Sequence, residues 1–209
     1  MCLDPADNHR GAVEVGLRHV TGPLFFSFLG PDNLTWNERI ELAREWPQTL
    51  LDIGGPYVPL ALTPHAPLTV SPDHLREVAE LAVEQGAIIT VHASENISEN
   101  EDTVNAHGDR PTNLLDVTGI LNLKPVLAHG VHVDESVLRL IAAKGGCIAH
   151  CPSSNLKLAS GAADFVHYRE EGITVGLGSN GSSSNNDLDM FTVMRLVANL
   201  ARLVRSDPA

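Results

Sequence analysis

One pattern constrains this chain more than any other. From residue 18 onward, short β-branched or apolar runs alternate with longer segments of helical periodicity. The runs at 18–26, 58–63, 87–91, 125–128, 147–151 and 174–178 read as six strands. The segments between them carry helix punctuation. Thr35 with Glu38 makes a capping box ahead of a helix over 36–46. Ser71 and Pro72 open another, with Gly86 just past its end. Asp134 opens 135–143, which stops at Gly145 and Gly146. Over 188–204, Met190, Val193, Met194, Val197, Leu200 and Val204 share one apolar face. Such alternation requires parallel strands joined by right-handed crossovers, which leaves an α/β barrel or a doubly wound sheet.

Two observations favour the barrel. No strand is followed by a Gly-rich phosphate loop, so the dinucleotide fold lacks its fingerprint. Polar residues recur instead at the carboxyl ends of successive strands: His65, His92, His129, Ser153 and Asn180. In a (β/α)8 barrel those positions converge on one mouth, where such proteins place their chemistry. The count of strands is six, with residues 1–3 offering the end of a seventh, whereas a closed barrel needs eight in about 250 residues. The expectation is an α/β fold, an incomplete (β/α)8 TIM-type barrel of six to seven strands. It forms one partial domain over 1–209, from the end of the second strand through the last barrel strand and the helix after it. The polar, acidic segment 96–110 reads as a long loop or lid over the mouth.

Composition excludes several classes of function. No apolar run approaches the roughly 20 residues that cross a bilayer, and the amino terminus has no signal-peptide pattern. Three cysteines, an odd number, argue for a reducing, cytoplasmic compartment over a disulfide framework. A formal net charge of −12 opposes binding to phosphate backbones, so no nucleic-acid partner is expected. An open barrel exposes strand edges that normally pair, which predicts self-association into a homo-oligomer.

The chemistry-bearing residues sit at the strand ends. His92, in ITVHASEN, ends an apolar strand, and Glu95 follows three residues later. A neutral imidazole is a good zinc or iron ligand, and a nearby carboxylate can move protons to and from a bound water. HxxE alone is a weak signal, but His129, in PVLAHGVH, occupies the same place after the next strand. His132 is read as structural, facing the following helix. His65, in LTPHAPLTVS, ends the strand before His92 among prolines that make a rigid turn, and either binds substrate or staples the loop. In CIAHC, Cys147 and Cys151 lie roughly 13 Å apart along a strand and His150 points to the opposite face, so packing is preferred to a second zinc site. The last strand ends in GLGSNGSSSNNDLDMF, where a metallohydrolase would want aspartate and this chain has Asn180.

Together PHAPLTVSPDHL, VHASENISENE, LAHGVHVDE, IAHCPSSNLKLASG and VGLGSNGSSSNNDLDMF resemble the amidohydrolase superfamily. Within it they are similar to the methylthioadenosine/S-adenosylhomocysteine deaminases and the related triazine hydrolases. The motifs run in family order over some 150 residues, from about residue 58 to the end. The resemblance implies a (β/α)8 barrel flanked by a small β domain, with one divalent metal at the mouth, zinc first and iron second. It makes His92 a metal ligand, Glu95 the group that moves protons between water and leaving amine, His129 the partner of the attacking water, and His65 a substrate contact. The implied reaction on a small-molecule substrate is hydrolytic removal of the C6 amino group of an adenosine-type compound. Another heterocycle such as a triazine, or a non-catalytic fragment that binds a ligand or partner chain, are the alternatives.

The resemblance also marks departures. The family's first strand with its His–x–His pair, and the sequence of the flanking β domain, have no counterpart among the 209 residues. Asn180 takes the place of the last-strand aspartate that holds the metal, and Leu68 that of a tyrosine common after PHAP. The expectation is a weakened metal site.

Overall fold

The computed structural model describes residues 4–208, so the strand suggested at residues 1–3 lies outside the described residues. Six strands form one sheet in sequence order, every neighbouring pair parallel: β1 (Leu24–Phe25), β2 (Ala61–Pro64), β3 (Ile88–Ala93), β4 (Val126–His129), β5 (Cys147–His150) and β6 (Thr174–Leu177). Helices α1 (Pro5–Glu14), α2 (Trp36–Ile53), α3 (Pro72–Gln85), α4 (Ile97–His107), α5 (Pro111–Val117), α6 (Glu135–Lys144), α7 (Pro152–Lys157), α8 (Phe165–Glu170) and α9 (Met190–Arg205) complete the described chain, with a 3-10 turn at Ile120–Leu123. Parallel strands in sequence order with intervening helices are the arc of a (β/α)8 barrel, as the alternation of periods requires.

Alternation along the strands assigns the two faces. In β3, Ile89, Val91 and Ala93 are buried against the helices with Leu62, Leu75, Val78, Leu115, Ile120, Leu127 and Ile141. Ile88, Thr90 and His92 face the other way, and there Ile88 is 37% exposed. In a closed barrel that second face is packed interior. Among the described residues β1 and β6 each have a single strand neighbour, so the arc ends in two edges.

Three expectations need correction. The strand at 18–26 shrinks to Leu24–Phe25: Pro23 has no N–H to give a ladder, and Gly22 runs so close to β2 that a Cβ would sit 1.7 Å from the Ala61 carbonyl oxygen. The helix over 36–46 continues through Pro47 to Ile53. Proline removes the N–H that would reach the carbonyl of Ala43, and Gln85 Nε2 donates to that oxygen instead at 2.8 Å. The segment 96–110 is not a loop. Asn96 caps α4 by accepting from Glu99 N at 2.8 Å, and Gly108 stops it in the left-handed region at φ 78°. Its polar surface hid a helix that buries only Glu99 and Thr103.

Candidate active site

Four of the sequence-predicted site residues line one cavity of about 400 Å³ at the carboxyl ends of the strands. His65, His92, Glu95 and Asn180 surround it, with Leu68 on its wall. The volume suits a small molecule. His129 lies directly behind, fully buried. Ser153 does not join them; its fully buried neighbour Ser154 instead supports Asn180, its Oγ accepting from Asn180 Nδ2 at 2.9 Å.

Hydrogen bonds set the tautomer of each imidazole. The single hydroxyl hydrogen of Thr69 goes to the Ala66 carbonyl at 3.1 Å, so His65 Nδ1 donates to Thr69 Oγ1 at 2.9 Å. His92 Nδ1 donates to the His65 carbonyl at 2.9 Å, which leaves Nε2 of His92 as the acceptor. Burial holds both rings neutral: desolvation lowers His65 to about 4 and, with the neighbouring His65 and His129, lowers His92 to about 3. The His92 and His129 rings stack with centroids 5.3 Å apart.

His129 is held by its backbone and by one partner. Its φ of 75° places a non-glycine residue in the left-handed region and turns the ring of this last β4 residue into the site. Its Nδ1 donates to Asn155 Oδ1 at 2.8 Å, both residues lying out of solvent. Nε2 is then the ring's acceptor, 3.7 Å from Glu95 Oε1 and 3.5 Å from Asn180 Nδ2. Glu95 keeps a side chain 21% exposed toward the mouth while its backbone N–H is tied to the Glu99 carboxylate at 2.6 Å. Burial raises the Glu99 carboxyl above its ordinary range.

Asn155 and Ser154 were missed by sequence reasoning. The motif HCPSSNLKLASG was visible, but nothing in it tells which residues of α7 turn toward β4. The contact supports a direct prediction. Asn155→Leu is expected to move His129 from the Nδ1–H toward the Nε2–H tautomer, read by ¹⁵N imidazole shifts, while Asn155→Asp, which keeps an acceptor, leaves it unchanged. A wild-type His129 protonated at Nε2 would refute the assignment.

The remaining candidates resolve simply. His132 Nε2 contacts the Ser160 carbonyl at 2.5 Å, so its ring reaches the segment after α7. His150 packs between Phe165 and Tyr168 on the helix side. Cys147 and Cys151 are free, and Cys151 Sγ fills the space a Cβ at Gly178 would need, 2.8 Å away.

These residues do not by themselves fit a resident metal ion. Among the described residues no three histidine, cysteine, aspartate or glutamate side chains come together as a metal-holding group. Asn180 shows why the last strand fails to help. Its Oδ1 accepts from Gly181 N at 2.8 Å, and its NH2 faces Ser154 Oγ and His129 Nε2. Donor hydrogens stand where a cation needs lone pairs.

Comparison with known proteins places the geometry. The profile of the amidohydrolase family matches residues 9–209. A 5-methylthioadenosine/S-adenosylhomocysteine deaminase of Dictyoglomus thermophilum is 37% identical over 95% of this chain and 46% of its own length. The protein of that name from Haloarcula marismortui is 44% identical over 69% of this chain and 33% of its own length. Among solved structures, an adenosine deaminase from Xanthomonas campestris with bound zinc superposes with a TM-score of 0.86 at 31% identity, over 97% of this chain and 46% of that one. A triazine hydrolase variant shares the fold, with a TM-score of 0.81 at 23% identity. The chain thus spans about half the length, or less, of the relatives it matches. An arc of parallel strands, histidines gathered at its carboxyl end and a profile match over nearly every residue give one answer: the chain belongs to the amidohydrolase family.

Proposed function

We propose that this chain is the site-bearing part of a hydrolytic deaminase acting on methylthioadenosine or S-adenosylhomocysteine. The convergence of His65, His92 and Glu95 on one cavity, with His129 buried behind it, carries the reading. The identity to proteins named as deaminases of those two compounds supports it. Residues 1–209 then form one partial barrel domain, from the end of the second strand through the last barrel strand and α9. Water adds at C6 of the adenine ring, the C6–N bond breaks, and ammonia leaves behind an inosine-type product. Glu95 takes a proton from the water and delivers it to the departing amine, the geometry for general acid–base work being an exposed carboxylate beside a buried imidazole. His129 orients the water through Nε2, and His65 contacts the substrate. A divalent ion, zinc first and iron second, belongs to this reading through the family, whose pattern would assign it to His92 and the position of Asn180; the described residues do not hold it alone. No helix of the described residues is long and apolar enough to cross a membrane. The odd count of three cysteines supports a cytoplasmic location. The two open sheet edges favour a homo-oligomer.

A second reading, a ligand-binding fragment without catalysis, is favoured by Asn180, whose amide faces the site with hydrogens. Calorimetric titration with S-adenosylhomocysteine and with hydroxyatrazine, and ammonia release with zinc added, separate the two. The expected result is binding of S-adenosylhomocysteine but not hydroxyatrazine, weakened about tenfold or more by His65→Leu, as loss of a hydrogen-bonding contact in a cavity predicts. Ammonia release abolished by Glu95→Gln supports the deaminase; binding without release supports the second reading. If neither compound binds, both readings fall.

A further inference from the structure

The residue that departs from the family pattern is followed by glycine, and Asn180–Gly181 is the only Asn–Gly pair in the chain. We propose that it is a self-modification site, at which Asn180 deamidates and a carboxylate appears beside His129. Deamidation of asparagine needs the next residue's backbone nitrogen to reach the side-chain carbonyl carbon. Three observations favour that approach. The Gly181 N–H already points at the Asn180 amide, donating to Oδ1 at 2.8 Å. Gly181 is exposed and has no side chain to obstruct the approach. Asn180 sits in the left-handed region at φ 59°, in the loop after β6, where no strand ladder engages the peptide.

The chemistry balances with water as the only co-reactant. Gly181 N loses its proton and bonds to Asn180 Cγ; the Cγ–Nδ2 bond breaks and Nδ2 departs as ammonia, leaving a five-membered succinimide. Water then opens the ring. Opening at Cγ gives aspartate at position 180, and opening at the main-chain carbonyl gives the isoaspartyl form. The aspartate product replaces an amide that offers hydrogens to His129 Nε2, 3.5 Å away, by a carboxylate that offers lone pairs, whereas the isoaspartyl form moves the carboxylate to the former main-chain carbon. The deamidation itself does not rest on the deaminase reading, and its test needs no activity.

The test is peptide mapping by mass spectrometry of the full folded chain aged in mildly alkaline buffer made with ordinary or ¹⁸O-enriched water. The Asn180 peptide is expected to gain about one mass unit in ordinary water and about three in enriched water, ahead of every peptide carrying another asparagine. Gly181→Ala is the control. A Cβ there meets only Ser183 Oγ, at an ordinary 3.9 Å, so the fold accepts it. Removing glycine's freedom of approach is expected to slow conversion about tenfold or more. Asn180 remaining intact while other asparagines convert, or equal rates in Gly181→Ala, would overturn the proposal.

Discussion

Arg39→Ala is expected to cost about 3 kcal/mol of stability, because it removes a fully buried guanidinium and strips a partly buried carboxylate of its partner. The Arg39 side chain is fully out of solvent, and its two terminal nitrogens grip Asp32 at 2.6 and 2.5 Å while Nη1 also donates to the Leu24 carbonyl at 2.8 Å. The guanidinium lies 5.2 Å over the Phe26 ring. Burial pushes the Asp32 carboxyl up, but the bonds from Arg39 and Leu34 N outweigh it and hold it below its ordinary value. The pair therefore ties the loop after β1 to α2 and caps the short β1 edge. Loss reaches the site, since His65 N donates to the Phe25 carbonyl of that strand at 3.1 Å. Urea unfolding of Arg39→Ala and of Arg39→Met/Asp32→Leu decides the matter. The double variant should recover much of the loss, because an apolar pair leaves no unpaired charge and frees only the Leu24 oxygen and the Leu34 N–H. A single variant within about 1 kcal/mol of wild type would show the pair to be a bystander, as most exposed ion pairs are.

How far the sequence could be read differs between fold and site. Periodicity located all six strands because parallel strands buried on their helix side are short apolar runs with sharp ends. It failed at α4, whose buried face is made of Glu99 and Thr103, so polarity signalled a loop where caps at Asn96 and Gly108 had already marked a helix. It also stopped α2 at Pro47, for the acceptor left over is matched by Gln85, more than 40 residues later, which no local rule can see. That His65, His92, Glu95, His129 and Asn180 would come near one another could be anticipated, because each lies at or within three residues of a strand's carboxyl end. The roles of Ser154 and Asn155 could not, since they depend on how α7 docks against β4 and the β6 loop. Nor could the sequence say which imidazole nitrogen is free. That depends on the carbonyl of His65 and the amide of Asn155.

Acid is expected to unfold this chain at a pH where most of its carboxylates are still charged. His65, His92 and His150 are held neutral by burial, at about 4, about 3 and about 4, against the ordinary value near 6.5. The unfolded chain takes up a proton on each as pH falls through about 6.5, whereas the folded chain resists until about 4. Between these limits the unfolded state binds more protons, so stability is whole above pH 6.5 and falls as the pH drops toward 4. Each suppressed proton costs about 1.4 kcal/mol per pH unit, and three together approach the few kcal/mol by which a domain is stable. The carboxylate of Asp134, lowered to about 2 chiefly by its bonds from Ser136 and Val137 N, acts in a separate window below its ordinary value near 3.8. The urea midpoint measured from pH 7.5 to 4.5 should therefore drop steeply below 6.5. His150 tests the cause, because among the described residues neither of its ring nitrogens has a hydrogen-bond partner and burial is the largest cause of its shift. His150→Leu removes one of the three largest suppressed protonations and one unmatched polar ring, so it should leave the neutral-pH midpoint unchanged or raised and flatten the acid slope. A slope unchanged in His150→Leu would assign the acid transition to carboxylates instead of buried imidazoles.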